Sequence, residues 1–263
     1  MNKEVICLKV VDLTDKVAQF LQDAKGKLSN EMIASKGKND LVTYFDKTSE
    51  KMIVDGLSEI LPSAGFMAEE NTRPYNNEDL FWIIDPLDGT TNFIHGLPCF
   101  SISIALATKD RVLLGVVHEV NLNECFYAFG NGQAYMNGKV ISVSKNDKLS
   151  DSLVATGFPY NDFSKKEAYL GFLGHLFENT HGVRRIGSAA TDLAYVACGR
   201  FEVFYEYGLK PWDVAAGAFI VSEAGGKVTD FNLGENYLFG KEIIASNHFV
   251  HPDFQAALAS YFK

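Results

Sequence analysis

The chain has 263 residues, 47% of them hydrophobic, with 20 phenylalanines and 11 tyrosines, so it can bury a large core and is too apolar to be a disordered chain. Its formal net charge of −9 argues against a general nucleic-acid backbone binder, which would present a basic face. Clustered carboxylates could hold cations instead, although composition alone favours an acidic hydrated surface.

In chain order, Ile6, Val10, Leu13, Val17, Leu21, Ala24 and Leu28 recur at spacings of three and four, which predicts a long amphipathic helix. Glu4, Lys9, Asp12 and Asp15 interrupt that stretch, so neither a signal peptide nor a membrane span is expected there. The four cysteines (Cys7, Cys99, Cys125, Cys198) are scattered without a Cys-x-x-Cys pair, which with the previous point suggests a reducing, cytoplasmic home. Residues 35–40 read as a polar, turn-rich loop, and a second helix is expected from near Asp46 to Leu61, stopped by Pro62. Phe81-Trp82-Ile83-Ile84 reads as a buried strand ending at Asp85. From Cys99 to Ser144 a strand meander is expected: Ser101, Ser103 and Ala105 alternate with Ile102, Ile104 and Leu106, and Asn137-Gly138 is a hairpin turn. Beyond Asp151 the pattern predicts strands at 153–156, 201–205, 227–229 and 243–245. It places helices near 165–177 and 188–198, one from Pro211 to Gly225-Gly226, and a last one from Pro252. No internal repeat or linker is visible, and the mixture points to layered α and β structure.

The most informative segment is Asp85-Pro86-Leu87-Asp88-Gly89-Thr90. Two carboxylates across a proline-containing turn can converge on one ion, and Gly89, lacking a Cβ, lets the chain approach a ligand. Backbone N–H groups and the hydroxyls of Thr90 and Thr91 suit an anion at the start of a helix. All-oxygen donors favour magnesium, calcium or manganese over zinc. The competing reading is a pair of ordinary turns, since Asp-Pro and Asp-Gly are common turn dipeptides. Glu69-Glu70 follows an apolar run and could serve a metal or form an exposed acidic turn. Asp213 sits just inside the helix opened by Pro211 and Asp46 near another helix start, where capping and dipole effects are the plain explanations.

Taken together these blocks resemble the inositol monophosphatase family of magnesium-dependent, lithium-sensitive phosphatases. The resemblance runs through Lys36, Asp40-Leu41-Val42-Thr43 to Asp46, Glu69-Glu70, and Asp85 to Phe93. It continues in Gly130 to Gly138, Gly187-Ser188-Ala189-Ala190, Tyr205-Glu206, Lys210-Pro211-Trp212-Asp213 and Glu223 to Gly226. It implies an α/β, layered αβαβα sandwich acting as one catalytic unit, with approximate halves at 1–150 and 151–263. It implies two or three Mg2+ ions, with Mn2+ a possible substitute. Asp85 would bridge two ions, Glu69 and the Leu87 carbonyl completing one site, Asp88 and Asp213 the other; a third, looser ion would sit near Glu69. Asp46 and Thr90 would orient the attacking water together with the metal at Glu69, and Gly89 and Thr90 would hold the phosphate. Ser188, Ala189, Glu206, Asp88 and Asp213 would meet the hydroxyls of a phosphorylated polyol such as myo-inositol monophosphate. Attack would be direct and in line, without a phosphoenzyme. The resemblance also implies a homodimer, with neither membrane nor direct nucleic-acid binding.

Fructose 1,6-bisphosphate, NADP or a nucleotide 3′-phosphate are alternative substrates, although Thr91-Asn92-Phe93 looks more like the inositol branch. One bacterial family member acts as a transcription antitermination and ribosome-assembly factor through protein partners, so such a role is a further alternative. Gly130-Asn131-Gly132 is not expected to bind a dinucleotide, because hairpin signals follow it in place of a helix. His248 and His251 read as surface residues, Cys99 and Cys198 as small core residues, and Arg184-Arg185 as surface or dimer contacts or as charges facing the substrate.

Overall fold

The computed structural model describes residues 1–27, 33–37, 40–160 and 162–262, with the backbone alone at 35–37 and 40–42. Helix α1 (Lys3–Ala24) is opened by Asn2, whose side chain accepts the Val5 N–H, and it buries Cys7, Val10, Val17 and Leu21. It ends four residues before Leu28, which lies outside the described residues, as do 38–39 and the Lys36 side chain. Where a loop was expected, β1 (Ile33–Gly37) and β2 (Asp40–Thr43) pair antiparallel. A ladder needs only backbone donors and acceptors, so polar side chains do not forbid it. Helix α2 (Tyr44–Ile60) follows, with Thr43 and Asp46 forming a capping box.

Strands β3 (Gly65–Ala68) and β4 (Leu80–Asp88), helix α3 (Thr90–Ile94), and strands β5 (Ser101–Thr108), β6 (Val112–Glu119), β7 (Glu124–Ala128), β8 (Ala134–Met136) and β9 (Lys139–Ile141) come next. The seven strands form one sheet in sequence order, antiparallel except for the β3–β4 pair. Asn137 and Gly138 both have positive φ, 48° and 79°, as a two-residue hairpin turn with the right twist requires. Strand β4 does not stop at Asp85. It continues through Pro86 to Asp88, and its register against β5 slips between Asp85 and Asp88, the irregularity that lets a proline stay in the strand.

The second half contains β10 (Leu153–Thr156), α4 (Lys166–Asn179), β11 (Gly182–Arg184), α5 (Ala189–Ala197), β12 (Val203–Tyr207), α6 (Pro211–Glu223), β13 (Gly226–Thr229), β14 (Glu242–Asn247) and α7 (His251–Ala259). Its five strands run in the order β11-β10-β12-β14-β13, with β10 parallel to both neighbours and β14 antiparallel to both of its own.

Side-chain alternation sorts the layers. Trp82, Ile84, Ile102 and Ile104 point into a core with α1 and α2, whereas Phe81, Ile83, Ala105 and Ala107 share a core with α5 and α6. That second core also takes Ala155, Phe204 and Ala245 from the five-stranded sheet, whose other face packs Val154, Tyr205 and Ile244 against Phe172 of α4 and Phe254 of α7. The architecture is therefore an αβαβα sandwich of mixed sheets and helices. Beyond its first turn, from Val214 to Val221, helix α6 is apolar all round because it lies between two sheets. Its small residues permit close crossing: a Cβ on Gly115 of β6 would lie 2.8 Å from the Ala216 backbone.

One histidine departs from expectation. His248 is exposed, but His251 is fully buried, with Nδ1 2.7 Å from Ser246 Oγ and Nε2 3.1 Å from Thr229 Oγ1. The first turn of α7 carries it inward beside Val250 and Phe254. Among the described residues no helix is long and apolar enough to cross a membrane.

Candidate active site

Strand β4 delivers two carboxylates at its end. Asp85 is buried, and its Oδ1 accepts the Leu87 N–H at 2.9 Å, folding the chain back at the register slip. Asp88 follows three residues later, its Oδ2 accepting the Ser188 hydroxyl and the Ala190 N–H, both at 2.7 Å. Ser188 is the N-cap of α5, so the first turn of that helix is fastened to the end of β4. Asp213 comes from the first turn of α6, where its Oδ2 accepts the Lys210 N–H at 2.6 Å, and the Trp212 carbonyl is held by Ser103 of β5 at 3.0 Å. Carboxylate oxygens of Asp85, Asp88 and Asp213 lie within 4.8 Å of one another. Among the described residues none of the three forms a salt bridge.

Glu69, just past β3, has its N–H on the Ile84 carbonyl at 3.1 Å and lines the same cavity of about 640 Å³. The adjoining turn is stapled by Glu50 of α2, whose two carboxylate oxygens accept the N–H groups of Glu70 (2.7 Å) and Thr72 (2.8 Å). Burial raises the carboxyls of Asp85 and Asp213 well above the usual range; neighbouring Glu69 and Asp88 push both further. Asp88 is pushed up to about 6, again mainly by burial, with its hydrogen bonds from Ser188 and Ala190 opposing the rise.

Gly89 has φ +95°, and a Cβ there would lie 3.0 Å from the Cys99 carbonyl and 3.1 Å from that of Gly187. Only glycine suits both the left-handed backbone and the crowding. It opens α3, the short helix carrying Thr90. The Thr90 hydroxyl is 2.9 Å from Asp46 Oδ1 and 3.0 Å from the Leu87 carbonyl, so its one proton is shared between two acceptors. Asp46 does not line the cavity; it reaches it through Thr90. Its other oxygen accepts the N–H of Thr43 at 2.7 Å and the Thr43 hydroxyl, so the cap of α2 and the grip on Thr90 are one arrangement. Burial raises Asp46 and these hydrogen bonds lower it.

Opposite, Ser188, Ala189 and Glu206 of β12 line the cavity. Glu206 is buried and raised well above the usual range, first by burial and then by Asp213 and Asp88. Gly157 leaves it room, since a Cβ there would overlap the carboxylate at 2.0 Å. Every expected site residue thus comes to this cavity directly, except Asp46.

Asp192 and Tyr160 are among the lining residues that escaped the sequence reading. Asp192 of α5 is buried, its Oδ1 has no hydrogen-bond partner among the described residues, and its carboxyl is raised well above the usual range by burial and by Glu206 and Asp88. An acid in the otherwise apolar Leu193, Ala194, Val196 helix was the available signal. Tyr160 lines the cavity from the segment after β10 and carried no motif. Cys99 and Cys198 are half-buried thiols whose pKa values burial raises, as suits unreactive residues.

The comparisons with known proteins agree with this geometry. The family model described as "Inositol monophosphatase family" matches residues 2–263. A Thermotoga maritima protein named fructose-1,6-bisphosphatase/inositol-1-monophosphatase is 42% identical, covering 92% of this chain and 91% of its own. The Escherichia coli K12 protein named Nus factor SuhB is 43% identical over 81% of this chain and 80% of its own. Among solved structures, the extragenic suppressor protein suhB of Bartonella henselae superposes with a TM-score of 0.90 at 37% identity, covering 95% of this chain and 96% of that one. With the whole chain matched and the carboxylates of four segments meeting at one cavity, the protein belongs to the inositol monophosphatase family.

Proposed function

We propose that this phosphatase is a magnesium-dependent phosphomonoesterase of phosphorylated polyols, with myo-inositol monophosphate as its model substrate. The observation that carries the reading is the triad of buried Asp85 and half-buried Asp88 and Asp213, three acids within 4.8 Å with no salt bridge among the described residues. Such a cluster, all hard oxygen donors, fits Mg2+ or Mn2+ and is costly without a cation. Asp85 would be shared between two ions, Glu69 and the Leu87 carbonyl serving one, Asp88 and Asp213 the other, with a third near Glu69. Bound there, magnesium would supply Lewis acidity, making water nucleophilic near neutral pH and stabilising the departing alkoxide.

The chain's own groups do the positioning. Thr90 Oγ1, with its proton drawn toward Asp46 Oδ1, leaves a lone pair to accept a hydrogen bond from the attacking water. Asp46 is fixed for this by Thr43. The N–H groups of Gly89 and Thr90 would hold the phosphate, and Ser188, Ala189 and Glu206 would orient the polyol across from it. These residues come from both sides of residue 150, which supports a single catalytic unit. A homodimer acting in the cytoplasm is part of this reading, and sedimentation of the purified chain would test its assembly.

A phosphate-release screen tests the proposal: myo-inositol 1-phosphate, fructose 1,6-bisphosphate, NADP and 3′-phosphoadenosine 5′-phosphate, each with and without magnesium and lithium. Magnesium-dependent, lithium-suppressed release from the inositol ester is expected. No magnesium-dependent release from any of the four would overturn the reading. The identity to relatives named Nus factor SuhB favours a second reading, a protein-partner role in transcription, tested by whether tagged protein recovers transcription antitermination proteins.

A further inference from the structure

Arg185 follows β11 on the short path to Ser188, and its side chain is held over the cavity. Its Nη2 donates to the Tyr160 hydroxyl at 3.0 Å, and the guanidinium carbon lies 5.7 Å from the centre of the Phe158 ring. Nη1 lies 2.8 Å from where a Cβ on Gly187 would stand, so the missing side chain leaves space for the guanidinium. Among the described residues Arg185 has no salt-bridge partner. Lys165, which also lines the cavity, is engaged by Glu242 at 2.6 Å.

We propose that Arg185, steadied by Tyr160, is a subsite for a second anionic group on the substrate, a phosphate or carboxylate remote from the scissile phosphate. This inference rests on the phosphatase reading above. Position favours the remote group over the scissile one. Arg185 is not among the strongest charged neighbours of Asp85 or Asp213; it acts on Asp192 and Glu206, on the polyol side, and on Asp88, which stands between the two sides. A cavity of about 640 Å³ falls in the range that takes drug-sized ligands, more room than one monophosphorylated ring requires. A planar guanidinium with a fixed fork of donors matches phosphate or carboxylate in a bidentate way that a lysine does not.

The test compares wild type, Arg185→Gln, Arg185→Lys and Tyr160→Phe with magnesium on three substrates: myo-inositol 1-phosphate, fructose 1,6-bisphosphate and 6-phosphogluconate. For Arg185→Gln, KM for at least one doubly anionic substrate should rise about tenfold relative to the single phosphate, the loss expected for a charge-assisted contact. Values of kcat should fall in the same proportion, if at all, on every substrate. Arg185→Lys should recover part of that discrimination, and Tyr160→Phe should lose part of it. The doubly anionic substrate affected tells phosphate from carboxylate. An equal KM penalty on all three substrates, or none on any, overturns the inference, because Arg185 would then serve the scissile phosphate or only the fold. It is also overturned if the wild type neither hydrolyses nor is inhibited by the doubly anionic compounds while hydrolysing the inositol ester. A wild type that releases phosphate from none of them sinks the parent reading instead.

Discussion

At His251 and at Asp85 the fold buries a titratable side chain, and the two surroundings answer that burial in opposite ways. His251 has a partner for each ring nitrogen, Ser246 and Thr229, so a neutral imidazole is fully served, and burial pushes its pKa down to about 4. Asp85 receives one N–H, from Leu87, and faces Glu69, Asp88 and Asp213, all acids. The chain completes the first environment by itself and leaves the second requiring charge from outside. A satisfied buried group belongs to the fold; a cluster of like charges kept buried points to a ligand.

The sharpest way to break this contrast is Asp85→Asn. Magnesium-dependent turnover should fall by about 10³-fold or more, on the scale of losing a central electrostatic element. Thermal unfolding in EDTA should occur at the same or a higher temperature, because one of the repelling charges is gone. Near-wild-type turnover would remove the cluster from the chemistry. Gly89→Ala should come next, lowering turnover about 10- to 100-fold. Its Cβ must push against the Cys99 and Gly187 carbonyls from a backbone at φ +95°. Intact steady-state kinetics in that variant would show that the turn tolerates displacement.

The same contrast sets two opposed pH dependences over nearly one interval. In metal-free protein the folded Asp88 carboxyl sits near 6, above an unfolded value of about 3.8, so its stabilising protonation is complete below about pH 4 and is lost as pH rises toward 6. This contribution by itself lowers the melting temperature in EDTA across that interval, and the gain on adding magnesium should be largest above it. His251 runs the other way: its folded value near 4 lies below an unfolded 6.5, so its contribution is present above pH 6.5 and is lost as pH falls toward 4. His251→Ala should cost about 2–4 kcal/mol of stability, from a cavity and two lost hydrogen bonds, and leave uncompensated the fall with rising pH that Asp88 contributes. Because the two contributions oppose each other over nearly one interval, Asp88 is tested in the His251→Ala variant in EDTA, where a melting curve flat from about pH 4 to 6 would contradict its assignment.

These outcomes bear on what the sequence could say. The meander from β5 to β9 was legible because alternation and the Asn137-Gly138 turn are local, and the Asp85 to Thr90 segment because carboxylate, proline and glycine are crowded into six residues. The paired strands at 33–43 were not, since their ladder is made by backbone atoms that side-chain polarity does not report. Arg184 and Arg185 are adjacent and chemically alike, and only the path from β11 to α5 shows that the second meets Tyr160. Asp192 was hidden because the apolar pattern around it reads as a core helix, whichever way its one acid faces. His251 was read as surface because nothing in the sequence reveals that Ser246 and Thr229 stand ready for its two nitrogens.

The smallest expected effect belongs to Cys99, which lies beside the cavity without sharing its chemistry. Its thiol is raised by burial and then by Asp192 and Glu119, the reverse of an activated nucleophile. What the position supplies is its carbonyl, which accepts Asn92 Nδ2 at 2.8 Å and lies 3.0 Å from where a Gly89 Cβ would stand. The carbonyl survives any side-chain change, so Cys99→Ala should keep kcat within about twofold and shift stability by about 1 kcal/mol. Cys99→Gly offers the finer comparison, because φ here is +73° and glycine relieves the strain of about 1–2 kcal/mol that a Cβ carries in the left-handed region. The glycine variant should therefore be at least as stable as the alanine one. A folded Cys99→Ala protein without activity would move the reacting group from the carboxylates to the thiol.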